Sequence, residues 1–144
     1  MSETHFRKLE KMYLSAPINR FFQPEIRIDD GRAEVRIPIR AELFHAAGAA
    51  HGAVYFKAAD DAAFFAANSL VEDAFVLTTS MNLYLLRPIA DGTLTSRARV
   101  VHEARSGFVA EAILTDGRER QVGRATGTFV RGRTPLTEDI GYRL

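Results

Sequence analysis

Residues 53–70, AVYFKAADDAAFFAANSL, constrain this chain more than any other segment. Almost every position is apolar, and a helix that is hydrophobic on all sides is normally buried. The sequence therefore predicts one long central helix whose surface must be covered by other parts of the molecule. Two adjacent carboxylates, Asp60 and Asp61, lie in the middle of this segment, although charged side chains are rarely buried without a partner.

Strand patterns are found on both sides of the predicted helix. Residues 25–39 alternate apolar and polar positions around Asp30-Gly31, which predicts a β-hairpin with a tight turn. Turn residues separate four further apolar runs, which predict a meander of four strands at residues 74–86, 93–103, 107–115 and 120–130.

The two ends of the chain have different patterns. Apolar residues recur at three- and four-residue spacing over 3–14, which predicts a helix with Ser2 or Thr4 as its N-cap. The tail from Gly132 contains Pro135 and a further glycine, and we expect it to be loosely packed.

The order of these elements predicts an α+β fold in which an antiparallel sheet packs on one central helix. Residues 1–144 form a single domain in this interpretation, with a core at about residues 25–131. A sheet on one side of the helix leaves the other apolar side, or the sheet edge, uncovered. The pattern therefore indicates a homo-oligomer.

Composition excludes several classes of function. Nineteen basic and 18 acidic residues give a net charge of +1 without a basic run, which argues against nucleic acid as a partner. The absence of cysteine excludes a thiol nucleophile and fits a reducing compartment. We expect no signal peptide, no membrane span and a cytoplasmic location. The four histidines, at positions 5, 45, 51 and 102, lack ligand spacing, so we expect no metal.

Helical geometry separates the two aspartates. Asp60 falls on the stripe of Phe56 and Phe64 and has no partner within one turn comparable to the one that Asp61 has. Such a carboxylate is a candidate for a functional site. Asp61 falls four residues after Lys57, which predicts a solvated helix edge with a weak ion pair.

The segment before the helix, GAAHGA, is rich in small residues. Backbone N–H groups can approach a ligand closely there, and the first N–H groups of a helix have no partner within the helix. Together with the helix dipole, they are suited to stabilising an oxyanion. His51 in this segment is either part of such a site or a structural loop histidine.

The segment HGAVYFKAADDAAFFAANS resembles the signature of the hotdog-fold acyl-CoA thioesterases of the phenylacetate-pathway (PaaI-like) type. In that signature an Asp on the central helix follows the His by nine residues, and Asp60 follows His51 by nine. The later segments MNLYLLRPIADGTL, VVHEARSGFVAEAIL and GRATGTFV are similar to the family's strands. The resemblance covers about residues 25–131 and implies an antiparallel sheet wrapped around the central helix.

The resemblance also implies roles for the matching residues. Asp60 would be the general base or nucleophile that attacks a coenzyme A thioester, and the Gly52 N–H would polarise the carbonyl. Thr78 would help to place the water or the carboxylate. Arg105 and Ser106 would contact coenzyme A. The active site would lie between two subunits of a dimer, or of a dimer of dimers, and no cofactor or metal would be needed.

Two positions depart from the family pattern. Ala53 replaces the second glycine of the motif. Its N–H can still contact substrate, and we expect the added methyl group to change the loop conformation or the acyl pocket. His45 stands where the family often has an asparagine that positions water or substrate, and histidine can itself act as a base near neutral pH.

Other interpretations remain open at this level. A hotdog hydratase or dehydratase would act on similar thioesters, but its motifs are not found. A protein that binds acyl-CoA without hydrolysing it is compatible with the two departures, and so is a structural oligomer in which Asp60 has a basic partner. Phe56, Phe64 and Phe65 would line a pocket for medium-chain or aromatic acyl groups, or simply form core.

Overall fold

The computed structural model of the protein describes residues 2–144. Its helices and strands, in chain order, are α1 (Glu3–Ser15), α2 (Asn19–Phe22), β1 (Glu25–Asp29), β2 (Arg32–Pro38), α3 (Gly52–Asn68), β3 (Ala74–Leu85), β4 (Thr93–Ala104), β5 (Gly107–Thr115) and β6 (Gln121–Pro135). The predicted α+β architecture, with one long helix against an antiparallel sheet, is confirmed.

The six strands form one antiparallel sheet in the order β1-β2-β4-β5-β6-β3. The predicted hairpin of β1 and β2 is confirmed, but the predicted four-strand meander is wrong, because β3 pairs with β6 and β2 takes the place beside β4. The segment between β3 and β4 must cross the sheet for β3 to pair with β6, and hydrogen bonds along it show its path. Leu86 N–H donates to Val122, Ala50 N–H to Ile89, and Ile39 N–H to Gly92. The connection therefore crosses the sheet past the N-terminus of α3.

Helix α3 is buried along most of its length, as predicted. Six alanines have no exposed surface: Ala58, Ala59, Ala62, Ala63, Ala66 and Ala67. Because their side chains are small, the sheet can pack closely on the helix. Asn68 fixes the C-terminal end, since its buried side chain donates to the Val71 and Ala74 carbonyls and accepts from Val76 N–H.

Helix α1 packs on β1 and reaches α3 through Tyr13, whose ring centroid lies 5.1 Å from that of Phe65. The predicted helix and its Ser2 cap are confirmed, since the Ser2 side chain accepts from His5 N–H at 3.2 Å. The short helix α2 was missed by sequence reasoning, because four residues are too few to show a period. None of the helices in residues 2–144 is long and apolar enough to cross a membrane.

The C-terminal segment is packed rather than loose, which corrects the prediction for the tail from Gly132. Strand β6 continues to Pro135, and the chain then folds back onto α1. There His5 Nδ1 and the Tyr142 hydroxyl lie 2.7 Å apart. Gly141 has φ +92°, and a Cβ there would overlap Ser15 Oγ. The close approach to α1 therefore requires glycine.

Candidate functional site

A cavity of about 960 Å³ is bounded by α1, α3, β3 and the C-terminal segment. Asp60, Thr78 and Phe64 all line it. The structure thus brings together three of the predicted site residues, which are widely separated in sequence.

Asp60 is held by one well-defined hydrogen bond. The Thr78 hydroxyl on β3 donates to Asp60 Oδ1 at 2.8 Å, and no group in residues 2–144 donates to Oδ2. Burial raises the pKa of Asp60 above its usual range, the Thr78 hydrogen bond opposes this shift, and the nearby Asp61 charge adds to it. The free oxygen and the raised pKa are the properties of a carboxylate that can accept a proton from water.

Asp61 is not the solvated residue that the sequence predicted. Its Oδ2 accepts from the Tyr13 hydroxyl at 2.5 Å and from Lys57 Nζ at 2.7 Å. The side chains of Asp61 and Lys57 are only 17% and 11% exposed. Burial raises the pKa of Asp61, whereas Lys57 and Tyr13 lower it. The prediction failed because α1 covers this face of α3, and helix periodicity carries no information about such tertiary contacts.

Aromatic side chains form the apolar wall of the cavity around Phe64. Its ring centroid lies 4.9 Å from those of Phe65 and Phe75 and 6.3 Å from that of Phe129. Phe65 and Phe64 both line the cavity, whereas Phe56 is 44% exposed and does not. An apolar ligand group placed beside Asp60 would therefore contact the Phe64 wall.

The N-terminus of α3 presents one unused backbone donor. His51 is the N-cap, and its Nδ1 accepts from Ala53 N–H at 2.9 Å. The ring thus does what a structural capping histidine does, and the Ala53 N–H is already engaged. The Gly52 N–H, by contrast, has no hydrogen-bond partner within residues 2–144. It lies at the positive end of the helix dipole and is available to an oxyanion.

His45 and Gly52 line a second, smaller pocket of about 260 Å³ together with Tyr55 and Arg87. The ring of His45 is engaged locally, because its Nδ1 accepts from Ala47 N–H at 3.0 Å. His45 therefore lies near the Gly52 end of the helix and does not line the Asp60 cavity.

The two pockets have no lining residue in common. Gly52 precedes Asp60 by eight residues, which corresponds to about 12 Å along the axis of an α-helix. An oxyanion donor must lie about 3 Å from the carbonyl oxygen, and a general base reaches the carbonyl carbon directly or through one water. Because the two groups line separate pockets, Asp60 and Gly52 of the same chain do not face one carbonyl group.

Arg105 and Ser106 form the exposed turn between β4 and β5 and line neither pocket. The turn is tied to β6, since Arg131 Nη1 donates to the Ala104 and Arg105 carbonyls at 3.2 and 3.0 Å. Their predicted contact with coenzyme A stays a prediction. No group of three or more potential ligands that could hold a metal occurs among residues 2–144.

Tyr13 was missed as a site residue by sequence reasoning. Its spacing on α1 shows only that it belongs to an apolar face, and nothing local indicates that its hydroxyl reaches Asp61. Lys57 carried a signal, the four-residue spacing to Asp61.

Comparison with known proteins places these residues in context. A model of the family described as "Thioesterase superfamily" matches residues 47–123. "Putative esterase SSO1253" of Saccharolobus solfataricus is 26% identical over 112 residues, which cover 78% of this chain and 75% of that protein.

Two solved structures show the same fold. The Escherichia coli PaaI protein from the phenylacetic acid degradation operon has a TM-score of 0.85 at 24% identity, over 94% of this chain and 99% of that one. The conserved protein PA5202 from Pseudomonas aeruginosa has a TM-score of 0.78 at 29% identity, over 83% and 96% of the two chains. The predicted hotdog fold is therefore confirmed.

Proposed function

Since the chain belongs to the thioesterase superfamily, we propose that it hydrolyses an acyl-CoA thioester to the free acid and coenzyme A. One observation carries this proposal. Asp60 presents a free carboxylate oxygen to an apolar cavity and is oriented by Thr78. The carboxylate would act on water or on the thioester carbon, and the cavity would accommodate the acyl group.

The reaction needs a proton acceptor and a group that stabilises charge on the carbonyl oxygen. As a general base, Asp60 takes a proton from water while the hydroxide forms a bond to the thioester carbon. The carbonyl π electrons move to oxygen, where a Gly52 N–H donates to the oxyanion. Collapse of the intermediate breaks the C–S bond, and the coenzyme A thiolate takes up a proton. As a nucleophile, Asp60 would form a mixed anhydride instead, which water then hydrolyses.

We propose that the two groups come from two copies of the chain, because within one chain they lie about 12 Å apart along the helix and line separate pockets. Strand β3 is an edge of the sheet, and large apolar side chains on and after it are more than half exposed: Leu77, Tyr84, Leu85 and Leu86. An unpaired edge with such side chains is suited to pairing with another copy. Leu85 also lies beside Gly52, so the exposed edge of β3 adjoins the second pocket.

The test is release of free thiol from short, medium, long and aromatic acyl-CoAs by the wild type and by Asp60→Asn. We expect turnover of part of the panel and a loss of about 10²–10⁴-fold in kcat in the variant, the usual contribution of a general base. Glu111→Gln, which breaks an ion pair with Arg99 outside the cavity, is the matched control and retains wild-type turnover.

The pH profile gives a second criterion. Because the pKa of Asp60 is raised by burial, kcat/KM falls as pH decreases through that raised pKa, above the usual range of an aspartate. Binding of acyl-CoA without thiol release by the wild type would contradict hydrolysis and favour a non-catalytic acyl-CoA-binding protein. A larger loss in Asp61→Asn than in Asp60→Asn would reassign the base.

A further inference from the structure

The charges of Asp61 and Lys57 act on Asp60, and with Tyr13 these two residues form a largely buried cluster. Both donors point to the same atom, Asp61 Oδ2, at 2.5 Å from the phenol oxygen and 2.7 Å from the ammonium nitrogen. Two donors on one oxygen are the arrangement of an ionised carboxylate. The cluster therefore contains one negative and one positive charge.

The ammonium group of Lys57 is held between aromatic rings as well as by Asp61. Its Nζ lies 5.4 Å from the ring centroid of Tyr13 on α1 and 5.0 Å from that of Phe22 on α2. These distances are typical of cation–π contacts. The long lysine side chain is thus fixed by three elements, which is more than a surface ion pair between helical neighbours requires.

The cluster adjoins Asp60 along α3. Lys57 lies three residues before Asp60 and four before Asp61, so it is one helical turn from both. The Asp61 charge raises the pKa of Asp60 and the Lys57 charge lowers it. With both present, their effects oppose each other, and loss of either one leaves a single uncompensated charge beside Asp60.

Other elements also present titratable groups to this cavity. Thr78 is the polar contact from β3. The charged and titratable groups that line the cavity with Asp60 are Tyr13, Lys57, Asp61, Glu138, Asp139 and Arg143. The last three are exposed or border solvent, so salt and water screen them more than the buried cluster.

We propose that Lys57 and Asp61, held in place by Tyr13, are positioning residues that set the net charge beside Asp60 and so determine the pH range in which Asp60 acts. This inference rests on the proposed function for its kinetic consequence, but the charge balance is a property of the folded chain itself. None of the three residues needs to touch the reacting atoms.

The experiment compares Lys57→Met, Asp61→Asn and the double variant. Methionine is unbranched and fits between the two rings, and asparagine has the shape of aspartate. We expect Lys57→Met to shift the acidic limb of kcat/KM to higher pH by about one unit and Asp61→Asn to shift it to lower pH by a similar amount, the usual effect of a nearby charge. The double variant returns close to the wild-type profile, because both charges are absent.

A readout independent of turnover is the carboxyl ¹³C chemical shift of Asp60, titrated by NMR and assigned by its loss in Asp60→Asn. It should move in the same two opposite directions in the folded single variants. A merely structural role would lower stability or kcat without moving either titration, and shifts in the same direction in both variants would likewise overturn the inference. Absence of turnover in the wild type would overturn the proposed hydrolysis, while the NMR titration would still decide the charge balance.

Discussion

The two ends of α3 differ in how much of a site a single chain provides. Around Asp60, the chain builds a cavity of about 960 Å³ from four parts of the fold, with buried charges and a fixed carboxylate. At Gly52, the pocket measures about 260 Å³, and the rings of His45 and His51 there make only local hydrogen bonds.

In the proposed reaction, one chain would therefore supply the proton acceptor but not, at the same carbonyl, the donor to the oxyanion. A free N–H at Gly52 stabilises nothing unless a carbonyl is brought to it, and Asp60 of the same helix lines a different pocket. The neighbouring β3 edge offers a surface on which a second copy could supply its own Asp60. The comparison predicts that the two ends act on the same substrate only across such an interface.

Removal of the Gly52 N–H is the most direct test of this difference between the two ends of α3. Proline is favoured at the first position of a helix, and His51 before it has φ −61° and ψ 147°, the extended conformation that a residue before proline prefers. Gly52→Pro therefore removes the donor while the helix start is kept. We expect a loss of about 10²–10³-fold in kcat, the contribution of one oxyanion donor, measured by thiol release.

Gly52→Ala is the matched control, because it adds a Cβ and keeps the N–H. The added atom meets the flexible end of Leu85, Cδ1, at 3.3 Å, which that side chain can accommodate by a small shift. Equal loss in both variants would show that crowding against Leu85, and not the missing donor, accounts for the effect.

A smaller effect is expected at the Asp60 end from removing its orienting hydrogen bond. Thr78→Val keeps the shape and strand preference of the side chain but loses the hydroxyl that donates to Asp60 Oδ1. Hydrogen bonds to charged groups contribute about 1.5–3 kcal/mol, so we expect kcat/KM to fall at least about tenfold.

The pH dependence of Thr78→Val tests the same hydrogen bond through the pKa of Asp60. The lost hydrogen bond lowers the pKa of Asp60 in the wild type, so the acidic limb of the variant moves to higher pH. Thr78→Ser retains the donor and should behave like the wild type. Normal turnover of the valine variant would show that the Thr78 hydroxyl has no role in the reaction.

The smallest effect is expected for the cap at the N-terminus of α3. His51→Ala loses the acceptor for Ala53 N–H and should lower the free energy of unfolding by about 1 kcal/mol, the usual contribution of an N-cap, measured by urea denaturation. His51→Asn restores a capping acceptor and with it the stability. If the asparagine variant is stable but inactive, the predicted catalytic role of His51 is supported over the capping role alone.

The elements of the fold were predictable because their signals are local. The apolar run of α3, the hairpin of β1 and β2 and the capped helix α1 all follow from spacing and turn residues within each segment. The place of β3 was not predictable in this way. It depends on a connection that crosses the sheet and is secured by long-range hydrogen bonds, such as Ala50 N–H to Ile89.

In the candidate site, too, local features were predictable from the sequence and long-range contacts were not. Spacing and the resemblance identified Asp60, Gly52 and Thr78, and the structure places Thr78 against Asp60. Asp61 was assigned to solvent because helix geometry shows only its neighbours on α3. Its burial comes from Tyr13, which is 48 residues away in sequence.

The sequence alone determined that one apolar helix with an acidic pair would be covered by an antiparallel sheet, because periodicity and turn chemistry act over a few residues. Only the tertiary structure decided which aspartate keeps a free oxygen and which is covered by Tyr13. That outcome depends on which distant side chains pack around each carboxylate, and burial and neighbouring charges are what set the properties of an ionisable group.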